Sequence, residues 1–360
     1  MYLNKVKFNL IKQGGKTLSM SMSKLLITLG LILLMTTPFA VAHADSDYSG
    51  SGTAVVSDAG AMSDRVTYSM SGVTRLEAGM AYEGWLVNSG SDDKVSTGVM
   101  TVLPDGSISH SWTSPDGGNI LEMYDMVAVT VEPVPDDDPA PSGVFAFTDM
   151  VDGGAMEEIR GLVVGDASTL YMLKSQIYAA MAKVGEAQAA DDADGLMAAT
   201  EEAASLADEI AALASAASAS AASAMDASGK QSVDTYGGKV MSSSGNVAAW
   251  AMAAKEDAAA VMAEDNLDTA KTLLNIVNGK LTAAAYGVEA TGMGGASDAY
   301  MQAQRMATFQ LPPPTSAAVT PATGDSYVPA AMQLMLLVAL LMLMGGGAML
   351  YRERRHGAKA

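Results

Sequence analysis

The chain has 360 residues, with 21 Lys and Arg against 40 Asp and Glu, for a formal net charge of −19 at pH 7. A surface of that sign repels nucleic acid and anionic lipid, so neither is an expected partner. The chain has no cysteine, which excludes disulfides, Cys-ligated metals and thiol nucleophiles and leaves packing alone to hold any exported part.

At the N-terminus Lys5, Lys7, Lys12, Lys16 and Lys24 precede the apolar run Leu25–Met35, and Pro38 follows. In "AVAHADSD", Ala42 and Ala44 have the small-x-small spacing of a signal-peptide cleavage site. Residues 1–44 therefore read as a signal peptide cut after Ala44. A start at Met20 or Met22 keeps the same apolar core, and an uncleaved membrane anchor is the alternative. Five basic residues lie in this leader and four in the C-terminal tail, leaving 12 against 39 acids between them, a charge near −27.

Residues 45–164 have a β texture. Alternating apolar and β-branched residues appear in "RVTYSMSGV", "MAYEGWLVN", "STGVMTVL", "DMVAVTVEP" and "GVFAFTDMV". Turn residues separate them, notably Pro104-Asp105-Gly106 and Pro115-Asp116-Gly117-Gly118. Short strands so spaced predict an antiparallel sandwich, with Trp85 and Trp112 as core or edge aromatics. Asp136, Asp137 and Asp138 fall in the proline-bounded "PVPDDDPAPSG". Carboxylates suit Ca²⁺, but successive residues do not face one ion and the EF-hand spacing is missing. The stretch reads as a solvated acidic loop, and no metal ligand is assigned. His110, in the strand-like "ISHSW", has no visible Ser-His-Asp logic. No catalytic residue is assigned, and the chain is expected not to be an enzyme.

Residues 165–309 shift to Ala, Met, Ser and Glu, and alanine is the best helix former. Leu170, Leu173, Ile177, Met181 and Val184 recur at helical spacing behind Asp166 or Ser168. Leu196, Ala199, Ala203, Leu206, Ile210 and Leu213 give 3,4,3,4,3 spacing, and Leu267, Ala270, Leu274, Val277, Leu281 and Ala284 repeat it 71 residues later. The pattern predicts a bundle of four helices over 166–190, 194–227, 233–263 and 265–285, a short helix over 297–309, and a weak internal repeat. No histidine lies between His110 and His356, so a His-ligated haem or di-iron site is not expected, and no cofactor is assigned. The methionines read as core filler.

Residues 310–329 form a Pro/Thr stalk. The oily run 330–351 is long enough to span a bilayer as one helix. The tail 352–360 carries Arg352, Arg354 and Arg355, a positive stop that places it on the cytoplasmic side. The expected fold class is thus α+β: an antiparallel β-sandwich, then an Ala-rich helical bundle, then a single transmembrane helix.

Two stretches resemble known families. Tyr82, Trp85, Leu86, Gly98, Asp105-Gly106, Val129-Thr130-Val131-Glu132-Pro133 and Pro141-Ser142-Gly143 resemble the extracellular C-terminal domain of anti-sigma-K factors. That resemblance implies an envelope sensor or scaffold rather than a catalyst. The family's sigma-binding part is a separate cytoplasmic domain, and sigma-factor control is not expected to carry over to the short basic tail. Thr320, Pro321, Ala322, Thr323 and Gly324, followed by an oily run and arginines, resemble the LPxTG cell-wall sorting signal. That implies a sortase partner cutting between Thr323 and Gly324, although Thr320 stands where the family has leucine. "DNLDTAKTLLNIVNGK" and "GMGGASDAYMQAQ" are similar to Ala-rich helical modules of exported bacterial proteins with no established activity.

The expected protein is therefore exported, surface-anchored and non-enzymatic. It displays a sandwich and a bundle for binding or adhesion to an envelope or cell-wall component. An envelope sensor working with a membrane partner, through the Gly345–Gly347 face, is the alternative. An uncharacterised hydrolase is the second alternative.

Overall fold

The computed structural model describes residues 7–9, 19–21, 48–91 and 93–313. In a unit of their own within residues 1–45, Lys7–Asn9 (β1) and Ser19–Ser21 (β2) pair antiparallel. All the other described residues belong to one compact unit.

That unit begins with a sandwich of two four-stranded antiparallel sheets. Its strands are β3 (Ser51–Ser57), β4 (Arg65–Ser71), β5 (Met80–Val87), β6 (Lys94–Met100), β7 (Ile108–Thr113), β8 (Met126–Pro133) and β9 (Phe145–Met150). A short helix, α1 (Ile120–Met123), precedes β8. One sheet runs β10–β3–β4–β7 and the other β6–β5–β8–β9. Every strand read from the alternation is present. β3 and β10 (Phe309–Leu311) add to those strands. β10 comes from the far side of the helices and pairs with β3 in the register Phe309↔Ala54, Gln310↔Thr53, Leu311↔Gly52. The boundary read at 309/310 therefore falls inside a strand, because Phe309 and Leu311 are apolar and flank a polar Gln310.

Between β9 and β10 run α2 (Gly153–Val163), α3 (Thr169–Ala189), α4 (Ala193–Asp226), α5 (Gln231–Met262), α6 (Leu267–Tyr286) and α7 (Ala296–Met306). The α+β class and the order of sheets before helices follow the sequence reading. Residues 153–163, read as the end of the sandwich, are helical. Their buried positions Ala155, Met156, Ile159, Leu162 and Val163 follow a helical stripe. Asp192 and Asn266 cap α4 and α6, accepting from the amides of Gly195 at 2.8 Å and Thr269 at 2.9 Å. Among the described residues no helix is long and apolar enough to cross a membrane. The oily run 330–351 lies outside them.

Helices α3 to α6 have 21, 34, 32 and 20 residues. At ~1.5 Å per residue, α4 and α5 form a hairpin about 50 Å long. The short helices flank it in pairs: α2 and α3 lie along α4, and α6 and α7 along α5. The halves therefore share the seam spacing but run short–long and then long–short.

The seam of α5 is Val233, Gly237, Val240, Ser244, Val247, Ala251, Ala254, Ala258 and Val261, all buried at strict 4,3 spacing. That of α4 passes through Ala203, Ala207, Ile210, Ala214, Ala217, Ala221 and Ala224. Here the structure departs from the reading: Leu206 and Leu213 are only partly buried, and the alanines beside them point inward. Small seam residues let two backbones approach closely, and the longer leucines then close the flanks.

The sandwich and bundle share one continuous apolar core. Polar contacts fix the junction. In the loop between β3 and β4, the Asp58 carboxylate accepts from the Ser63 amide at 2.7 Å and from the Gln304 amide group on α7. Gln304 also donates to the Ser63 hydroxyl at 3.0 Å. Ser63 sits at φ 51°, in the left-handed region. Asp64 accepts from the amides of Ala59, Gly60 and Ala61 at 2.6, 3.0 and 2.9 Å. Burial alone pushes the Asp64 carboxyl up, but the amides of Gly60, Ala61 and Ala59 outweigh it and hold it below the ordinary range.

Replacing Ala214, which is fully buried, by Leu overpacks the α4 seam and should cost about 1–3 kcal/mol in urea denaturation. Leu213→Ala, on the half-open flank, should cost less than the ~2–5 kcal/mol of a fully buried leucine. Because the folded carboxyl of Asp64 is depressed, its contribution is complete above the unfolded value of about 3.9 and is lost as pH falls through the folded one. Asp64→Asn should therefore be less stable than the parent at neutral pH, and the gap should narrow as the melts are taken below about pH 4.

Candidate functional site

Strand β8 is buried on both faces. Val127, Val129 and Val131 face the sandwich core, and Ala128, Thr130 and Glu132 alternate with them on the outer face. An outward carboxylate in a sheet is ordinarily solvated, yet Glu132 is only 2% exposed. Its partners explain this. The Trp85 indole N–H, from β5, donates to the Thr130 hydroxyl at 2.8 Å, and that hydroxyl donates to Glu132. The Ser142 amide donates to both Glu132 oxygens at 3.0 Å, and the Ser142 hydroxyl donates to the Val131 carbonyl at 2.9 Å. One hydrogen-bonded chain thus runs from β5 through β8 into the segment joining β8 to β9.

That chain fixes the base of the 134–144 loop. At the tip, Asp136 accepts from the Asp138 amide at 2.9 Å and Asp138 from the Ala140 amide at 3.0 Å. The carboxylates thus fold onto their own backbone while remaining exposed. Among the described residues no three His, Cys, Asp or Glu side chains converge as a metal site. Exposed Met80, Val134, Val144 and Phe145 lie at the base of the acidic loop. The surface joins an apolar rim to a negative projection.

The other reading of the sandwich was His110. Its Nε2 lies 2.7 Å from the Thr97 carbonyl oxygen, and its ring is 5.9 Å from that of Tyr68. The Thr97 hydroxyl donates to the Tyr68 oxygen at 3.1 Å, and burial pushes the Tyr68 phenol well above its usual range. This region is a packing knot. Gly84 leaves room for the Thr97 hydroxyl, which a Cβ there would meet at 2.3 Å, and Gly98 takes φ +97° beside the bulge. Among the described residues no serine or carboxylate is hydrogen-bonded to His110. Trp85 and Trp112 both pack as expected, Trp112 half-buried against the core.

Ala44, the motif Thr320, Pro321, Ala322, Thr323 and Gly324, and the stop residues Arg352, Arg354 and Arg355 lie outside the described residues. The motif residues Trp85, Thr130, Glu132 and Ser142 were legible one by one. That they form a single chain was not, because strand parity alone sends Glu132 to solvent.

Glu132→Ala should leave the Ser142 amide and Thr130 hydroxyl without their acceptor, at about 1–3 kcal/mol. Amide exchange across 134–144 should accelerate and Trp85 emission should shift. Glu132→Gln, which keeps one acceptor oxygen, should do less.

The family model for the C-terminal domain of the anti-sigma-K factor rskA matches residues 34–145. The match covers β3 to β8, the acidic loop and the first residue of β9, and it contains all four members of the hydrogen-bonded chain. It begins upstream of Ala44 and leaves out α2 to α7 and β10. No curated protein and no solved structure matched. Over that stretch the chain is similar to an anti-sigma-K factor C-terminal domain.

Proposed function

We propose that the chain is a non-catalytic regulatory module outside the cytoplasm, a sensor subunit that works with a membrane-associated regulatory protein. The observation that carries this is the coincidence of the anti-sigma-K match with the Trp85–Thr130–Glu132–Ser142 chain. Four of the residues that carry the resemblance, Trp85, Thr130, Glu132 and Ser142, are those that set the acidic loop on the outer sheet face. The partner engages that loop and its apolar rim. The reading of passive display or adhesion rests on the shortness of the basic tail and on the Thr320–Gly324 motif and gains no support from the match; nor does a sortase partner. A non-enzymatic role fits the tie of His110 to a backbone carbonyl.

The test removes the chain from its cells and compares transcripts and surface attachment. We expect a discrete set of genes sharing one promoter type to change, with attachment intact. Lost attachment with unchanged transcription would favour adhesion and overturn the sensor reading. Mass spectrometry of the native chain should find its N-terminus after Ala44 if the leader is cut, and upstream of it if the matched stretch stays whole.

A further inference from the structure

The last described strand, β10, is held unlike any other. It has three residues and lies at the edge of its sheet, and its only ladder partner, β3, lies more than 250 residues earlier in the chain. Phe309 and Leu311 are essentially fully buried, whereas Gln310 is exposed. The Gln310 amide points away from β3 and donates at 2.6 Å to the Asp149 carboxylate, on β9 of the opposite sheet. That carboxylate is also paired with Lys230 at 2.5 Å, and the Lys230 ammonium donates to the Met150 carbonyl at 2.6 Å. Lys230 is the N-cap position of α5. The Ser232 hydroxyl, in the first turn of that helix, donates to the Thr308 carbonyl at 3.1 Å. One carboxylate thus ties together the second sheet, the long bundle hairpin and the terminal strand.

We propose that β10 is a releasable strap. A restraint applied to the chain after Leu311 detaches this strand from β3 before the sheets or the bundle unfold, and so exposes the buried β3 edge. Three features make the strand releasable. A three-residue edge strand has few ladder bonds to lose, and open edges are where sheets accept or release strands. Pro312 and Pro313 follow at once and have no N–H with which to extend the ladder, so the attachment ends at Leu311. The outward amide is satisfied by a side chain, so loosening Asp149 frees the strand without breaking another strand pair. The strap thereby connects the packing of sandwich and bundle to whatever holds the downstream chain. This holds whether or not the chain is a sensor.

The test is hydrogen exchange by mass spectrometry on the full chain. Asp149→Asn should accelerate exchange at least tenfold at 309–311 and within 52–54, the stretch of β3 that β10 covers, leaving 80–87 and 126–133 at parental rates. Because Gln310 and Thr53 are opposed with the Gln310 amide turned outward, they form a non-hydrogen-bonded pair, the closer kind. The double substitution Thr53→Cys and Gln310→Cys in this cysteine-free chain should form a disulfide that slows exchange at the β3 edge, and reduction should restore it. Two results would overturn the strap: unchanged exchange at 309–311 in Asp149→Asn, or acceleration of all four segments together. Oxidised and reduced forms of the double variant exchanging alike would overturn it too.

Discussion

The close approach of α4 and α5 through small side chains is the constraint on which the rest of this molecule depends. Ala207, Ala214, Ala217, Ala221 and Ala224 on one helix and Gly237, Ser244, Ala251, Ala254 and Ala258 on the other leave little to fill between two backbones. Each such residue buries little area, at ~25 cal/mol per Å². Stability then comes from length, since the seam runs from Ala203 to Ala224 in α4 and from Val233 to Val261 in α5, and from the larger residues that interrupt it, such as Ile210 and Val240. Without cysteines, nothing covalent supplements that packing. The long hairpin forms a spine, α2, α3, α6 and α7 complete the bundle around it, and the sandwich closes its end.

Polar contacts play the complementary part and choose one arrangement among many apolar ones. A buried carboxylate needs its acceptor capacity filled; Glu132 is filled by Thr130 and by the returning loop at Ser142, whereas Asp58, at the surface, is reached by Gln304 from the far end of the chain. Glu132 selects the path of the acidic loop. Asp58, with Gln304 and Ser63, selects where α7 meets the sandwich. For Glu132, any other placement of the loop would leave a buried oxygen without a donor; at the helix contact the groups that need their partners are the buried Gln304 and Ser63.

The sequence was most informative where periodicity and burial agree. β4, β5, β6, β8 and β9 each show alternation with one face in the core, and α3 to α6 begin within a few residues of their expected starts. It was least informative where a contact came from far away. α2 is short and follows a strand, so its stripe was absorbed into the β reading. β10 shows only a three-residue alternation whose partner is β3. In α4, spacing alone allowed either Leu206 and Leu213 or Ala207 and Ala214 as the seam. Hydrophobicity favoured the leucines, but helix separation favoured the alanines. At the candidate surface, each motif residue was visible, but the covering of Glu132 by Ser142 depends on a loop path that no local pattern encodes.

The order of elements has a consequence for how the family resemblance maps onto this molecule. The matched stretch ends at residue 145, before most of β9 and long before β10. A sandwich built from that stretch alone would leave β3 as an open edge and Asp149 absent. Here the missing edge is closed by a strand that arrives only after six helices have been traversed, so the first sheet is completed through the bundle rather than beside it. Pairings of such sequence separation form late, because the loop must close before the contact rewards it. The sandwich therefore reaches its final form in this chain only once the bundle has brought Phe309 and Leu311 to β3. That makes the bundle part of the sandwich's structure, not an appended module.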